Sequence, residues 1–197
     1  MLKPPARKVV LASTSRYRRE LLSRLQIGFD CAAPNVDETP REGEAPDIQA
    51  VRLAVTKAHA VKHVWPDALI IGSDQVATTA GTLLGKPGTH EQAVHQLTVM
   101  RGRAVSFFTG LCVLNAHTGR EQSAMVPVTV HMRNYSDAQI ERYLRADQPY
   151  DCAGSARIEK LGITLIERLE TDDPNALIGL PLIALCDMLQ NEGIELP

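Results

Sequence analysis

The chain has 197 residues, enough for one domain with a sizeable buried core. Its 44% hydrophobic and 22% charged content is that of a globular protein in water. A net charge of -2 excludes a general attraction to nucleic acid or acidic membranes, so a polyanion would have to be held locally.

The first predicted element is a buried strand, "KVVLAS", short, β-branched and bounded by polar residues. A helix follows through "RYRRELLSRL", with Tyr17, Leu21, Leu22 and Leu25 as an apolar stripe. "FDCAA" reads as a second strand and "PNVDETPREGEAP" as a polar loop. The next helix starts near Pro46, with Ile48, Val51, Val55 and Ala58 on one face. "ALIIGSDQVA" is a strand, and "GTLLGKPG" is a short strand between glycines. "THEQAVHQL" opens a helix with a capping-box pattern, Thr89 and Gln92.

"AVSFFTGLCVLN" and "QSAMVPVTVHM" are two long strands across the turn "NAHTGR", a hairpin. "SDAQIERYL" repeats the capping pattern with Ser136 and Gln139. "GITLIERLE" reads as a strand. "GLPLIALCDMLQNEG" is a closing helix, with Pro181 in its first turn and Gly193 near its end. Interleaved helices and strands with one antiparallel hairpin predict an α/β fold. The expected sheet is mixed and twisted, flanked by helices, in a single domain over residues 1–197.

Cys31, Cys112, Cys152 and Cys186 form no CxxC pair and sit among apolar residues. Four buried free thiols are expected, which suits a reducing compartment. The N-terminal "MLKPPARKVV" has too short an apolar run for a signal peptide, and no window reaches the ~18 apolar residues of a membrane span. A cytoplasmic protein is expected.

Chemistry concentrates at a few points. Ser13 and Ser15 lie where a strand meets a helix N-terminus, whose free N–H groups attract anions, and Arg18 and Arg19 add forked donors. Two readings stand there: a phosphate site, or a Ser15 cap with a solvated arginine face. Arginine in a first turn opposes the helix dipole, which a bound anion would offset. Asp37 and Glu38 sit in a loop, and Asp74 is expected at the end of a buried strand, pointing into a cleft. Carboxylates beside a phosphate site are what Mg²⁺ or Mn²⁺ takes as ligands. Lys86 lies in a glycine–proline turn and Lys57 mid-helix. No P-loop, dinucleotide fingerprint, zinc HExxH or GxSxG elbow is present.

In order and spacing, "LASTSRYRRELL", "VDE", "KA", "IIGSDQV", "GKP", "FFTGL" and "GLPL" resemble the Maf family of nucleoside triphosphate pyrophosphatases, from near residue 8 to near residue 190. "CAAPNVDETPR", "DCAGS" and "GITLIERLE" most resemble the branch that hydrolyses 7-methyl-GTP. The resemblance implies two lobes around a cleft, and hydrolysis of a modified nucleoside triphosphate to monophosphate and pyrophosphate. It implies phosphate contacts at Ser13, Arg18 and Arg19. Catalytic roles fall on Glu38, Lys57, Asp74 and Lys86, with a Mg²⁺ or Mn²⁺ ion held by Glu38 and Asp74. Base choice falls on Tyr17, Gln75 and Glu159. The branch usually has tryptophan where this chain has Tyr17, and more often glycine at Lys160. Tyr17 also fits the buried stripe, and Glu159 an exposed strand edge. Arg16 is left without a role.

The implied partner is a small-molecule nucleotide, with no nucleic acid and no membrane; a homodimer is compatible with it. Alternatives are a dTTP/UTP or broad nucleotide pyrophosphatase, or a non-catalytic regulator of septum formation.

Overall fold

The computed structural model describes residues 7–196, so "MLKPPA" lies outside the described residues. Three short segments set up one side of the sheet. Strand β1 (Val9–Leu11) lies between β2 (Phe29–Cys31) and β3 (Leu69–Thr79), parallel to both. Beyond β3 the sheet turns antiparallel. Strand β4 (Thr82–Leu84) folds back on the end of β3, and β5 (Ala104–Asn115) pairs along most of its length. The expected hairpin joins β5 to β6 (Glu121–Met132), and β7 (Ile166–Glu170) closes the sheet. The order is β2-β1-β3-β5-β6-β7, with β4 on β3, so the predicted mixed sheet is found.

Helix α1 (Arg16–Ser23) and helix α5 (Leu182–Asn191) cover one face through Leu21, Leu22, Leu185 and Leu189. Helices α3 (His90–Met100) and α4 (Asp137–Asp147) build a second apolar cluster with Phe107, Val130 and Met132. The second cluster gives the cleft its apolar lining, through Met100, Phe107, Val130 and Met132 among others.

Helix α2 (Pro46–Ala60) packs on the other face, and here the sequence expectation is corrected. Ile48 is 59% exposed; the buried face is Gln49, Ala50, Leu53, Ala54, Lys57 and Ala58. The reason is close approach. A Cβ at Gly72 would lie 2.1 Å from the Ala54 carbonyl oxygen, and one at Gly110 would lie 2.2 Å from that of Ala50. Alanines facing glycines let the helix backbone approach the sheet, where larger apolar residues would hold it off.

Two strands also differ from expectation. Asp74 is not at a strand end, because β3 continues to Thr79. The parallel partner β1 stops opposite Ile71, however, so Asp74 lies just past the end of the parallel pairing. "GITLIERLE" is strand only from Ile166; Leu161–Leu165 is a 3-10 helix. Gly162 packs against the Arg157 backbone, where a Cβ would come within 2.5 Å of the Arg157 carbonyl oxygen, and this turn displaces the strand start. Leu25 falls beyond the end of α1, and Pro181 caps α5 from just outside it. All four cysteines are free, but only Cys112 is buried; the other three are half-buried, which corrects the expectation for them. Among the described residues no helix is long and apolar enough to cross a membrane.

Candidate active site

Successive residues of β3 point to opposite faces of the sheet. Gly72 and Asp74 face α2; Ser73 and Gln75 face α1 and the segment before α5. A cleft of about 780 Å³ runs across the open edge of β3 and reaches both sides. It is lined by Ser13, Tyr17, Arg18, Glu38, Lys57, Asp74, Gln75, Lys86 and Glu159 among others. Of the ten side chains to which the family resemblance gives a role, nine are therefore gathered here. Arg19 is the exception: it is exposed and points away from the cleft. One helical step, about 100°, separates it from Arg18.

The floor of the cleft is an ion triad. Lys57, 5% exposed, places its ammonium 2.5 Å from Asp74 Oδ1 and 2.7 Å from Glu38 Oε1. Asp74 is also buried, whereas the Glu38 side chain is more than half exposed. Glu38 is presented by a loop with its own supports. Asp37 does not face the cleft chemistry; its carboxylate accepts from the backbone and hydroxyl of Thr39 at 2.9 and 2.6 Å, an Asx turn that lowers its pKa. Arg52 on α2 then grips the same loop. It donates to both oxygens of Glu44 at 2.5 and 2.7 Å and to the Thr39 carbonyl at 3.3 Å. These bonds from Arg52 hold the Glu44 carboxyl down at about 2.

Ser15 caps α1, its hydroxyl accepting from the Arg18 backbone N–H, and Ser13 accepts from the Ser15 N–H at 3.1 Å. Capping and cleft lining thus coexist. The Arg18 side chain donates through Nε to the Gly179 carbonyl at 2.8 Å, leaving the rest of its fork toward the cleft. Burial lowers its pKa from the ordinary value, opposed by the negative charges of Asp74 and Glu38. Gly179 has φ 113°, a left-handed conformation that turns its carbonyl inward; the Ser73 hydroxyl also donates to it, at 2.9 Å. In the sequence Gly179 stands out only as part of "GLPL", and the signal for Ser73 is a serine beside Asp74 inside the apolar run "IIGSDQV".

At the other end of the cleft, Gln75 donates its amide to the carbonyls of Ala176 and Leu177, at 2.8 and 3.1 Å, and to Thr109. Its donors are spent, so toward the cleft it offers an acceptor. Tyr17 is not part of the buried stripe. Its hydroxyl lies 3.1 and 3.2 Å from the two oxygens of Asp151, and the Arg16 guanidinium sits 4.7 Å from its ring centroid. Glu159 and Lys86 line the cleft as exposed charges.

Residues 8–192 match the family described as Maf-like protein. The chain belongs to the Maf-like protein family. It is 58% identical to a protein of Methylobacillus flagellatus named 7-methyl-GTP pyrophosphatase, over 95% of this chain and 97% of that one. Proteins of the same name from Polaromonas and Thiobacillus denitrificans are 56% and 58% identical, over 99% and 95% of this chain and 89% and 93% of theirs. Among solved structures, the Ham1 protein of Staphylococcus aureus aligns at 12% identity with a TM-score of 0.46, over 65% of this chain and 73% of that one.

Among the described residues of this Maf-like protein, no group of three or more His, Cys, Asp or Glu side chains converges as a metal centre. Two carboxylates do converge, on Lys57. Asp74 Oδ1 and Glu38 Oε1 are taken up by the ammonium, and the second oxygen of each has no protein donor among the described residues. A hard cation such as Mg²⁺ is commonly held by one or two carboxylates, with substrate phosphates and water completing its shell. The donor set fits that arrangement.

Proposed function

We propose that this protein hydrolyses nucleoside triphosphates to the monophosphate and pyrophosphate, with 7-methyl-GTP as its preferred substrate. The observation that carries this reading is the Glu38–Lys57–Asp74 triad at the floor of a cleft whose rim holds Arg18 and Lys86. Cations and carboxylates alternate there, which suits a polyanionic substrate attacked by water. Arg18, Lys57 and Lys86 neutralise the triphosphate and the charge that builds on the α-phosphorus. Asp74 orients the attacking water and accepts its proton. Ser13 is a further hydrogen-bond donor to phosphate oxygen. Glu38 and Asp74 would hold Mg²⁺ or Mn²⁺, which when bound polarises the phosphoryl oxygens.

The relatives' shared name supports the substrate, and the base end of the cleft is chemically compatible with it. N7-methylation makes guanine cationic, and the Tyr17 ring is an aromatic surface of the kind that attracts a cation. Gln75 and Glu159 both present acceptors, which suit the N1–H and exocyclic amine of guanine. Four unpaired cysteines suit a reducing compartment such as the cytoplasm. We take the chain as one catalytic domain acting on a free nucleotide.

The test is pyrophosphate release from a panel of 7-methyl-GTP, GTP, UTP, dTTP and ATP with Mg²⁺ or Mn²⁺. The expected result is the highest kcat/KM for 7-methyl-GTP. Faster turnover of UTP or dTTP would overturn the substrate assignment. Retained turnover in Asp74→Asn would overturn the catalytic one.

A further inference from the structure

Sequence reasoning did not single out Asp151, yet it is the most connected side chain at the base end of the cleft. It lies in the turn after α4, in "YDCAGS", and lines the cleft. Its carboxylate receives the Tyr17 hydroxyl at 3.1 and 3.2 Å, the Arg16 guanidinium at 3.1 Å, and Arg157 Nη2 at 3.1 Å. Arg157 is 5% exposed and is fixed in turn by Asp147 at the end of α4, with an Nη1–Oδ1 distance of 3.2 Å. The Arg157 backbone N–H also donates to the Tyr143 hydroxyl at 2.9 Å. A continuous run of bonds therefore leads from α4 through Arg157 and Asp151 to Tyr17 on α1.

We propose that Asp151 is a positioning residue for base recognition: it fixes the Tyr17 ring and neutralises the two arginines beside it, so that the ring can accept a cationic purine. The proposal rests on the reading of the cleft as a site for 7-methyl-GTP. Two features support it. Arg16 and Arg157 lie 4.7 and 5.8 Å from the Tyr17 centroid, so without Asp151 only Asp147, paired with Arg157, would offset two positive charges facing a methylated, positively charged base. Burial also raises the Tyr17 phenol to about 12, so it stays protonated and donates to Asp151, which accepts. The Asp151 carboxyl is held below its ordinary value: burial opposes this, but hydrogen bonds from Tyr17 and Cys152 and the charge of Arg16 outweigh it.

The test compares 7-methyl-GTP with GTP, which share a triphosphate and differ only in the methyl group and its charge. In Asp151→Asn the kcat/KM ratio of 7-methyl-GTP over GTP should fall about tenfold, the scale of one charged hydrogen bond, chiefly through KM. Asp151→Glu should recover part of the ratio. Tyr17→Phe should lower it in the same direction, and the double variant should be little worse than Asp151→Asn alone, because the Tyr17–Asp151 hydrogen bond is common to both changes. A ratio unchanged in Asp151→Asn, or effects of the two variants that multiply, would overturn the proposal. Should Asp151→Asn fail to fold, Tyr17→Phe decides alone: an unchanged ratio overturns the proposal. If the wild type prefers another nucleotide, the substrate reading has failed, and the variants are scored on KM for that nucleotide. An unchanged KM there overturns the positioning role as well.

Discussion

The Lys57 ammonium lies 2.5 Å from Asp74 Oδ1, and both side chains are buried on facing elements, one on α2 and one on β3. A buried pair of this kind is held by its mutual attraction, and removing Lys57 leaves the Asp74 and Glu38 carboxylates without their shared cation, whereas removing Asp74 leaves Lys57 with Glu38. Lys57→Met should therefore destabilise the fold by about 3 kcal/mol. Asp74→Asn in the same background should restore part of that loss. Urea unfolding of the two singles and the double measures the coupling; additive losses would show that the two charges do not depend on each other. On activity the same residues separate differently. Asp74→Asn should lower kcat about a thousandfold, the scale of lost general base catalysis, and the double should recover none of it.

Arg18 and Arg19 are neighbours in sequence with opposite surroundings. Arg18 is tied to the Gly179 carbonyl and lines the cleft; Arg19 is exposed. Arg18→Ala should lower kcat/KM about a hundredfold, since it removes a fixed donor facing the charge of the transition state. Arg19→Ala should stay within about twofold, as surface substitutions away from partners do. Steady-state kinetics at constant ionic strength checks both. Equal losses would mean that Arg19 reaches the substrate by a rearrangement of α1.

The contrast shows what the sequence carried. The mixed sheet and its hairpin follow from strand-like runs and turn chemistry, which are local. Ser13 and Asp74 stand out because polar groups interrupt or flank apolar strands, whereas Glu38, an acid in a polar loop, and Lys57, a lone lysine mid-helix, gain their roles from the family resemblance. The buried face of α2 was not legible. Its alanines pack on Gly72 and Gly110, which belong to strands far away in sequence, so helical periodicity alone chose Ile48 instead. Asp151 was equally hidden, because its partners Tyr17 and Arg157 are joined to it only by the folded chain. That Gln75 has no donor left for a base is likewise not legible in the sequence, because the carbonyls that consume its donors come from residues 176 and 177.

Gly110 stands opposite Asp74 in the β3–β5 pairing, and its missing side chain is what seats α2. A Cβ there would sit 2.2 Å from the Ala50 carbonyl oxygen and 2.7 Å from the Val51 nitrogen, both backbone atoms that cannot rotate away. Gly110→Ala should cost about 3 kcal/mol in urea unfolding, since overpacking must shift the helix. Because α2 carries Lys57, turnover should fall along with stability even where the variant is fully folded. A folded variant with wild-type kcat would show that the seat of α2 does not set the position of Lys57.

Glu44 connects the loop bearing Glu38 to α2 through Arg52, at 2.5 and 2.7 Å. The hydrogen bonds from Arg52 hold its carboxyl down at about 2, against an ordinary value of 4.5. A carboxylate whose pKa is depressed by folding stabilises the folded state above the unfolded pKa, and this contribution is lost as pH falls toward the folded one. The contribution from Glu44 should therefore be complete above 4.5 and should drain away between 4.5 and about 2. Thermal midpoints of wild type and Glu44→Gln across that range isolate it, because the other carboxylates titrate alike in both proteins. The wild type should melt higher near neutral pH, and the gap should close on acidification. At neutral pH Glu44→Gln should also lower kcat/KM, because Thr39 and Glu38 lose part of the tether that presents them to Lys57. A gap that persists down to about pH 2 would mean that the Arg52 contact, and the loop geometry built on it, does not depend on the charge of Glu44.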